Sequence, residues 1–134
     1  MTRDTRIRIS LLALRMGVFA VFMVWTLDKL FNYQHNSGMI SHYYHVDLPQ
    51  WFLVALGLAE LGMLFGFLLG LFKNFTYAAV LVAHAVTTLV SSWRLLPPYE
   101  IHQLLYFGSL PMLAACVALY LLRSEDTLWN LSKP

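Results

Sequence analysis

The chain is built of long apolar blocks separated by short polar breaks. Ile9 to Phe31, Pro49 to Phe72, Phe75 to Trp93 and Ile101 to Leu122 are each dominated by apolar residues, in blocks rather than at amphipathic spacing. Runs of this length suit helices crossing a hydrocarbon core roughly 30 Å thick, which takes about 20 residues. Backbone donors and acceptors cannot be left unpaired in lipid, so the runs are expected to be helices. The expected fold class is therefore all-α, an integral membrane four-helix bundle forming one domain over residues 1–134. Pro49 suits a helix start, where its missing N–H is not needed. Pro111 lies inside the fourth run and predicts a kink there. The basic start followed by an apolar run resembles a signal peptide. With Asp28-Lys29-Leu30 after Leu27 in place of a small-residue cleavage site, it reads as a retained first span.

Composition agrees with a membrane location. Of 134 residues, 59% are hydrophobic and only 12% charged, about half the charged share of a soluble domain. A net charge of +2 without a basic patch gives no reason to expect nucleic acid as a partner. The single cysteine, Cys116, excludes an internal disulfide and a cysteine-based metal cluster within the chain. In a four-span arrangement Arg3, Arg6, Arg8, Arg15, Lys73, Arg123 and Lys133 fall on one side, and only Lys29 and Arg94 on the other. The excess of positive charge predicts both termini and the Lys73 turn in the cytoplasm, in a multi-pass protein of a bacterial-type inner membrane. Trp25, Trp51 and Trp93 would then lie near the outer boundary, and Arg15 is close enough to its boundary to snorkel.

Within this apolar frame the polar residues stand out. Glu60 is the only charge between Trp51 and Phe72. A carboxylate at mid-membrane needs a partner, a proton or a water-filled cavity. Glu60 and His84 lie twelve residues either side of Phe72, so an antiparallel hairpin brings them to one depth, where a carboxyl and an imidazole could share a proton. They are the expected catalytic pair; the alternative is a structural pair that fixes helix register. Tyr77, His84, Thr87, Thr88 and Ser91 share one face of the third run. His102, Tyr106, Ser109 and Cys116 do the same on the fourth. Together they predict a polar seam, serving either as interhelical hydrogen bonding or as a path for a small molecule or proton. Gly62, Gly66 and Gly70 form a small-residue ridge that could pack inside the bundle or make an oligomer contact.

The outer side carries His35, His42, His45 and His102. Several imidazoles can bind Cu or Zn, and His42 and His45 would be one turn apart on a helix. Histidines hydrogen-bonding at a wet interface are the preferred reading, and neither metal nor haem is favoured as a cofactor. A bis-histidine haem needs two imidazoles at one depth, and His84 has no histidine partner there. Asp28-Lys29 at the end of the first run could bind a head group or a partner. As adjacent helix residues they should have different partners.

The chain resembles the DoxX-like family of small four-helix membrane proteins, including its MauE type. The resemblance covers most of the chain. It rests on Arg15-Met16-Gly17, Asp28-Lys29-Leu30-Phe31, Glu60-Leu61-Gly62 with the glycines that follow, and Leu121-Leu122-Arg123-Ser124-Glu125-Asp126. Many members have glycine three residues before the lysine, where this chain has Thr26. The resemblance implies redox chemistry beside a quinone pool, as membrane subunits or accessory proteins of quinone-linked oxidoreductases, with Lys29 and Glu60 on the quinone side. The depth argument adds His84. The expected function is thus a quinone-interacting or accessory subunit of a membrane redox complex, with quinone as ligand and other subunits of the complex and membrane lipid as partners. Asp28, Lys29, Arg94, His102 and Tyr106 would shape its outward substrate-binding mouth. The alternatives are a structural or assembly subunit and a metal-handling protein using the outer histidines.

Overall fold

The computed structural model describes residues 1–96 and 104–131. These form five α-helices and no strand: α1 (Arg3–Phe31), α2 (Tyr33–Tyr44), α3 (Gln50–Leu68), α4 (Lys73–Val90) and α5 (Ser109–Leu121). Short 3-10 turns at Ser92–Leu95 and Leu105–Gly108 flank the gap before α5. Both α1 and α3 are long and apolar enough to cross a membrane, and Leu105–Leu121 is a shorter apolar helix. Large hydrophobic side chains lie exposed on several helices, including Val24, Leu58, Phe75, Val82, Leu89 and Leu121. A water-soluble monomer rarely leaves so much contiguous apolar surface uncovered.

The helices pack through one stripe each. On α1, Leu11, Arg15, Val18, Phe22 and Thr26 are buried, a spacing of three and four that keeps them on one face. On α4, Thr76, Tyr77, Val80, His84 and Thr88 are buried in the same way. Leu64, Phe67, Cys116 and Leu119 complete the core. The most extensive contact joins α1 to α3. Leu30 lies against Gly57, Thr26 against Glu60, and Arg15 against Gly70, so these two helices run antiparallel. A tight turn after α3 brings Phe67 and the Tyr77 ring within 4.8 Å, and α5 packs along α4 and touches α1.

Several boundaries differ from the sequence expectation, each for a local reason. Pro111, expected inside a long span, has a change of helical winding just before it. It falls in the first turn of α5, directly after a stretch wound as 3-10 helix, a local change of the kind that accompanies a proline missing its N–H. The third apolar run begins at Lys73 and closes at Val90. The second stops at Leu68 because Gly70, at φ +65, and Phe72, at φ 47, turn the chain. Gly70 therefore lies in the turn and not on a continuous helical ridge with Gly62 and Gly66. A Cβ at Gly70 would sit 2.6 Å from Asn130 Oδ1. The connection after α1, which lies outside the four expected spans, is itself a helix, α2.

Arg15 does not snorkel. It is fully buried, as is Asp126, and the two form an ion pair at 3.4 Å. The Tyr77 hydroxyl donates to the same carboxylate oxygen at 2.6 Å. Arg15 also donates to the Leu128 carbonyl and, at 3.3 Å, to Tyr77. The segment after α5 is thereby folded back across this end of the helices. Lys73 Nζ holds the carbonyls of Arg123 and Asp126 at 3.2 and 2.6 Å, and Leu131 N–H reaches Leu69 O at 2.9 Å. Snorkelling would keep Arg15 hydrated, but here the folded-back segment delivers an anion and carbonyls to it.

Removing one partner of a buried ion pair leaves an uncompensated charge, at a cost of about 3–5 kcal/mol. Asp126→Ala is therefore expected to lower the thermal unfolding temperature in detergent sharply. The double change Arg15→Met with Asp126→Leu should recover most of the loss, and equal stability of single and double variants would contradict this clamp.

A candidate site at the Lys29–Glu60 ion pair

Glu60 lies in the middle of α3, one turn after Gly57. A Cβ at Gly57 would come within 2.8 Å of Leu30 Cδ2 and 3.6 Å of Lys29 Cβ. The glycine therefore lets α1 approach closely enough for Lys29 to reach across. Its ammonium contacts both Glu60 carboxylate oxygens at 2.6 Å. Thr26, three residues earlier on the same α1 face and fully buried, donates to Oε2 at 3.3 Å. The Lys29 and Glu60 side chains keep 19% and 24% of their surface exposed, so the pair borders the helix surface and is not sealed inside. Lys29 also occupies the last turn of α1, where a cation is favoured by the helix dipole.

Glu60 and His84 are not partners. His84 is buried at 1% exposure. Its Nε2 lies 3.0 Å from the Ser109 carbonyl and 3.4 Å from Thr88 Oγ1. A carbonyl only accepts, so a neutral His84 carries its proton on Nε2. Its ring stacks on Trp25 with centroids 6.0 Å apart and meets the edge of Phe22 at 6.1 Å. Neighbouring residues of α1 therefore face the two groups, Trp25 against His84 and Thr26 against Glu60. The hairpin does bring them level, but each meets a different side chain of α1. The cation on α1 takes the carboxylate, and the rotation of α4 turns the imidazole toward α5.

The polar seam is likewise divided. Tyr77, His84 and Thr88 are buried, while Thr87 is exposed and bonds the Ala83 carbonyl of its own helix. The Ser91 hydroxyl donates to the Thr87 carbonyl. Ser109 offers His84 its backbone, and Cys116 sits in the apolar core. His102, with Glu100 and Lys133, lies outside the described residues.

At the end of the molecule away from Lys73, α2 is held at both of its ends. Near its start, the Asp28 carboxylate meets His35 Nδ1 at 2.8 Å and the side-chain amides of Asn32 and Asn36 at 3.2 Å each. Asp28 and Lys29 thus have separate partners, as adjacent helix positions require. Near the end of α2, His42 Nε2 accepts from Arg94 Nη2 at 2.9 Å, and the Arg94 guanidinium lies 4.2 Å over the Trp93 ring. The Tyr43 and Tyr106 hydroxyls are hydrogen-bonded to each other. Asp28, Arg94 and Tyr106, expected in one mouth with Lys29, are instead spent on two clusters that fasten α2. The helix ends at Tyr44, and His45 follows in the left-handed region at φ 55. The one-turn spacing of His42 and His45 is broken there, and His35 is committed to Asp28. Among the described residues no three His, Cys, Asp or Glu side chains gather closely enough to hold a metal.

Two contributors were not recognised from the sequence. Gly57 was hidden among ordinary small residues, and its only sign was its place one turn before the lone acid. Asp126 was noticed as part of a motif and not as the counter-charge of Arg15. Residues 10–93 match the family model described as DoxX. No curated protein and no solved structure matches the chain.

The Tyr43 phenol has its pKa raised above the ordinary 10.0, first by burial and then by the hydrogen bond to Tyr106, with Arg94 opposing. A group raised on folding stabilises the fold below its unfolded pKa and loses that contribution as pH climbs through the folded value. The fold is therefore expected to weaken above pH 10.0. In a titration of phenolate absorbance, Tyr43→Phe should remove one phenol from the late-titrating fraction. Loss from the ordinary fraction would contradict the placement.

Proposed function

The chain belongs to the DoxX family and is a membrane protein of the DoxX type, and on that footing we propose that it is a quinone-interacting or accessory subunit of a membrane redox complex. In this reading α1, α3, α4 and α5 form a transmembrane four-helix bundle in a bacterial-type inner membrane. The end carrying Arg3, Arg6, Arg8, Lys73 and Arg123 faces the cytoplasm with both chain termini, following the bias of positive charge.

The observation that carries the proposal is the Lys29–Glu60 pair at the border between α1 and α3. Each side chain is about one-fifth exposed, in otherwise apolar surroundings. An ammonium can donate a hydrogen bond to a quinone carbonyl, and a carboxylate beside it can take the hydroxyl proton of a quinol. In quinol oxidation the quinol gives up two electrons and two protons. The electrons pass to a redox centre on a partner subunit, and Glu60 receives a proton. The second proton passes to water at the exposed border of the pair, because His84, buried against Trp25 and bonded to the Ser109 carbonyl, is out of reach of a quinol there.

A second reading has a specific observation in its favour. The close approach at Gly57 and the two-oxygen contact of Lys29 are what a register-fixing device needs, so the chain could serve as a non-catalytic assembly subunit. Glu60→Gln separates the two. It keeps the shape and a hydrogen-bond acceptor for Lys29 and removes the base. Loss of a general base is expected to reduce quinone-linked electron transfer in membranes by about 10²- to 10⁴-fold, with the complex still assembled. Full activity in Glu60→Gln would remove the catalytic role and leave the assembly role.

A further inference from the structure

Among the described residues, one face of α3 is left uncovered along part of its length. Its inward face, with Leu53, Gly57, Leu64 and Phe67, is buried. The opposite side bears Leu58, Gly62 and Leu69, all exposed. With Phe72, Phe75 and Thr76 from the turn and the start of α4, these line an apolar groove of about 570 Å³. Gly62 forms its floor, and a Cβ there would meet nothing within 4 Å. From Leu58 to Leu69 the groove runs eleven residues, about 16 Å at the helical rise. That is close to one leaflet of a hydrocarbon core, half of roughly 30 Å.

The groove ends at cations. Phe72 and Phe75 also border a cleft that contains Lys73 and Asn74. Arg123 donates from Nε to Asn74 Oδ1 at 2.7 Å, which puts its guanidinium beside that cleft. Among the described residues Lys73 donates to the carbonyls of Arg123 and Asp126, and Arg123 donates to Asn74 and the Tyr120 carbonyl while its guanidinium lies 4.5 Å over the Tyr120 ring. Neither makes an ion pair among the described residues. The nearby Asp126 carboxylate meets Arg15 and Tyr77 through Oδ2, and among the described residues Asp126 bonds Lys73 only through its backbone carbonyl. Counted against the described residues, Lys73 retains one ammonium N–H, and Arg123 its Nη2 group, for an anion.

We propose that this groove and its cationic mouth bind an anionic phospholipid, one acyl chain lying over Gly62 and the phosphate meeting Lys73 and Arg123. Charge complementarity selects this occupant over a second copy of the chain. A two-fold interface through the same face would set the Lys73 and Arg123 of one copy against those of the other. A lipid supplies both an apolar chain and the missing negative charge, as basic pockets beside membrane helices do for acidic head groups. The inference is independent of the quinone reading, because it uses none of Lys29, Glu60 or His84.

Native mass spectrometry of the detergent-purified full chain tests it, with phosphatidylglycerol or phosphatidylcholine of identical acyl chains added. Phosphatidylglycerol should be retained more strongly. Arg123→Gln should weaken its retention by about fivefold, the loss of one cation near a phosphate, and leave phosphatidylcholine unchanged. Gly62→Leu, whose Cβ would meet nothing within 4 Å, places a branched side chain on the groove floor and should lower retention of both lipids. Equal retention of the two lipids by the native chain overturns the proposal. So does unchanged phosphatidylglycerol binding in Gly62→Leu, or a native dimer that Gly62→Leu converts to monomer. Should Gly62→Leu fail to fold, the comparison of head groups and Arg123→Gln still decides.

Discussion

The structure depends on neutralising charge along one helix. Burying a lone ion in apolar surroundings costs several kcal/mol even after relaxation, and α1 brings two cations to its buried or half-buried face. Each is met by a carboxylate from elsewhere in the chain, Lys29 by Glu60 of α3 and Arg15 by Asp126 beyond α5. The two pairs are fourteen residues apart on α1, about 21 Å at the helical rise. Sliding α1 by a single turn along its neighbours would break both. Apolar contacts between helices are tolerant of such slips, so the charge pairs are what give this helix one register.

The two ends of the molecule follow from those pairs. At the Lys73 end, Arg15 draws in Asp126 and with it the segment to Leu131, which covers the end of the helices through bonds to Lys73 and Leu69. At the other end, α1 stops at Phe31 and α2 crosses from the Asp28 cluster to the Arg94 cluster. The Lys29–Glu60 pair, about one-fifth exposed, lies between these two closures. This position supports its proposed role at a ligand and explains why Glu60 can remain in an otherwise apolar helix.

Much of this was legible in the sequence. Apolar blocks identify the helices because helical backbone satisfies itself, and the lone acid in α3 marks the ion pair because its cost is local and visible. The level shared by Glu60 and His84 also follows from spacing about the turn. Their separation does not, because the rotation of α4 about its axis is set by packing against α5, and rotation decides which neighbour a side chain meets. Arg15 was misread for a related reason. Near a helix end, spacing cannot distinguish a side chain reaching water from one covered by a distant segment. The close approach at Gly57 was illegible as well, since a glycine shows its purpose only when the neighbouring backbone is in place.

The most direct measurement of the central claim is an exchange of charges between α1 and α3, followed by the yield of folded protein and its unfolding temperature. Lys29→Glu alone sets two carboxylates against each other and should greatly reduce both. Combining it with Glu60→Lys restores an opposite pair at the same contact and should return most of the stability. A single variant as stable as the native chain, or a double variant no better than the single, would contradict the account.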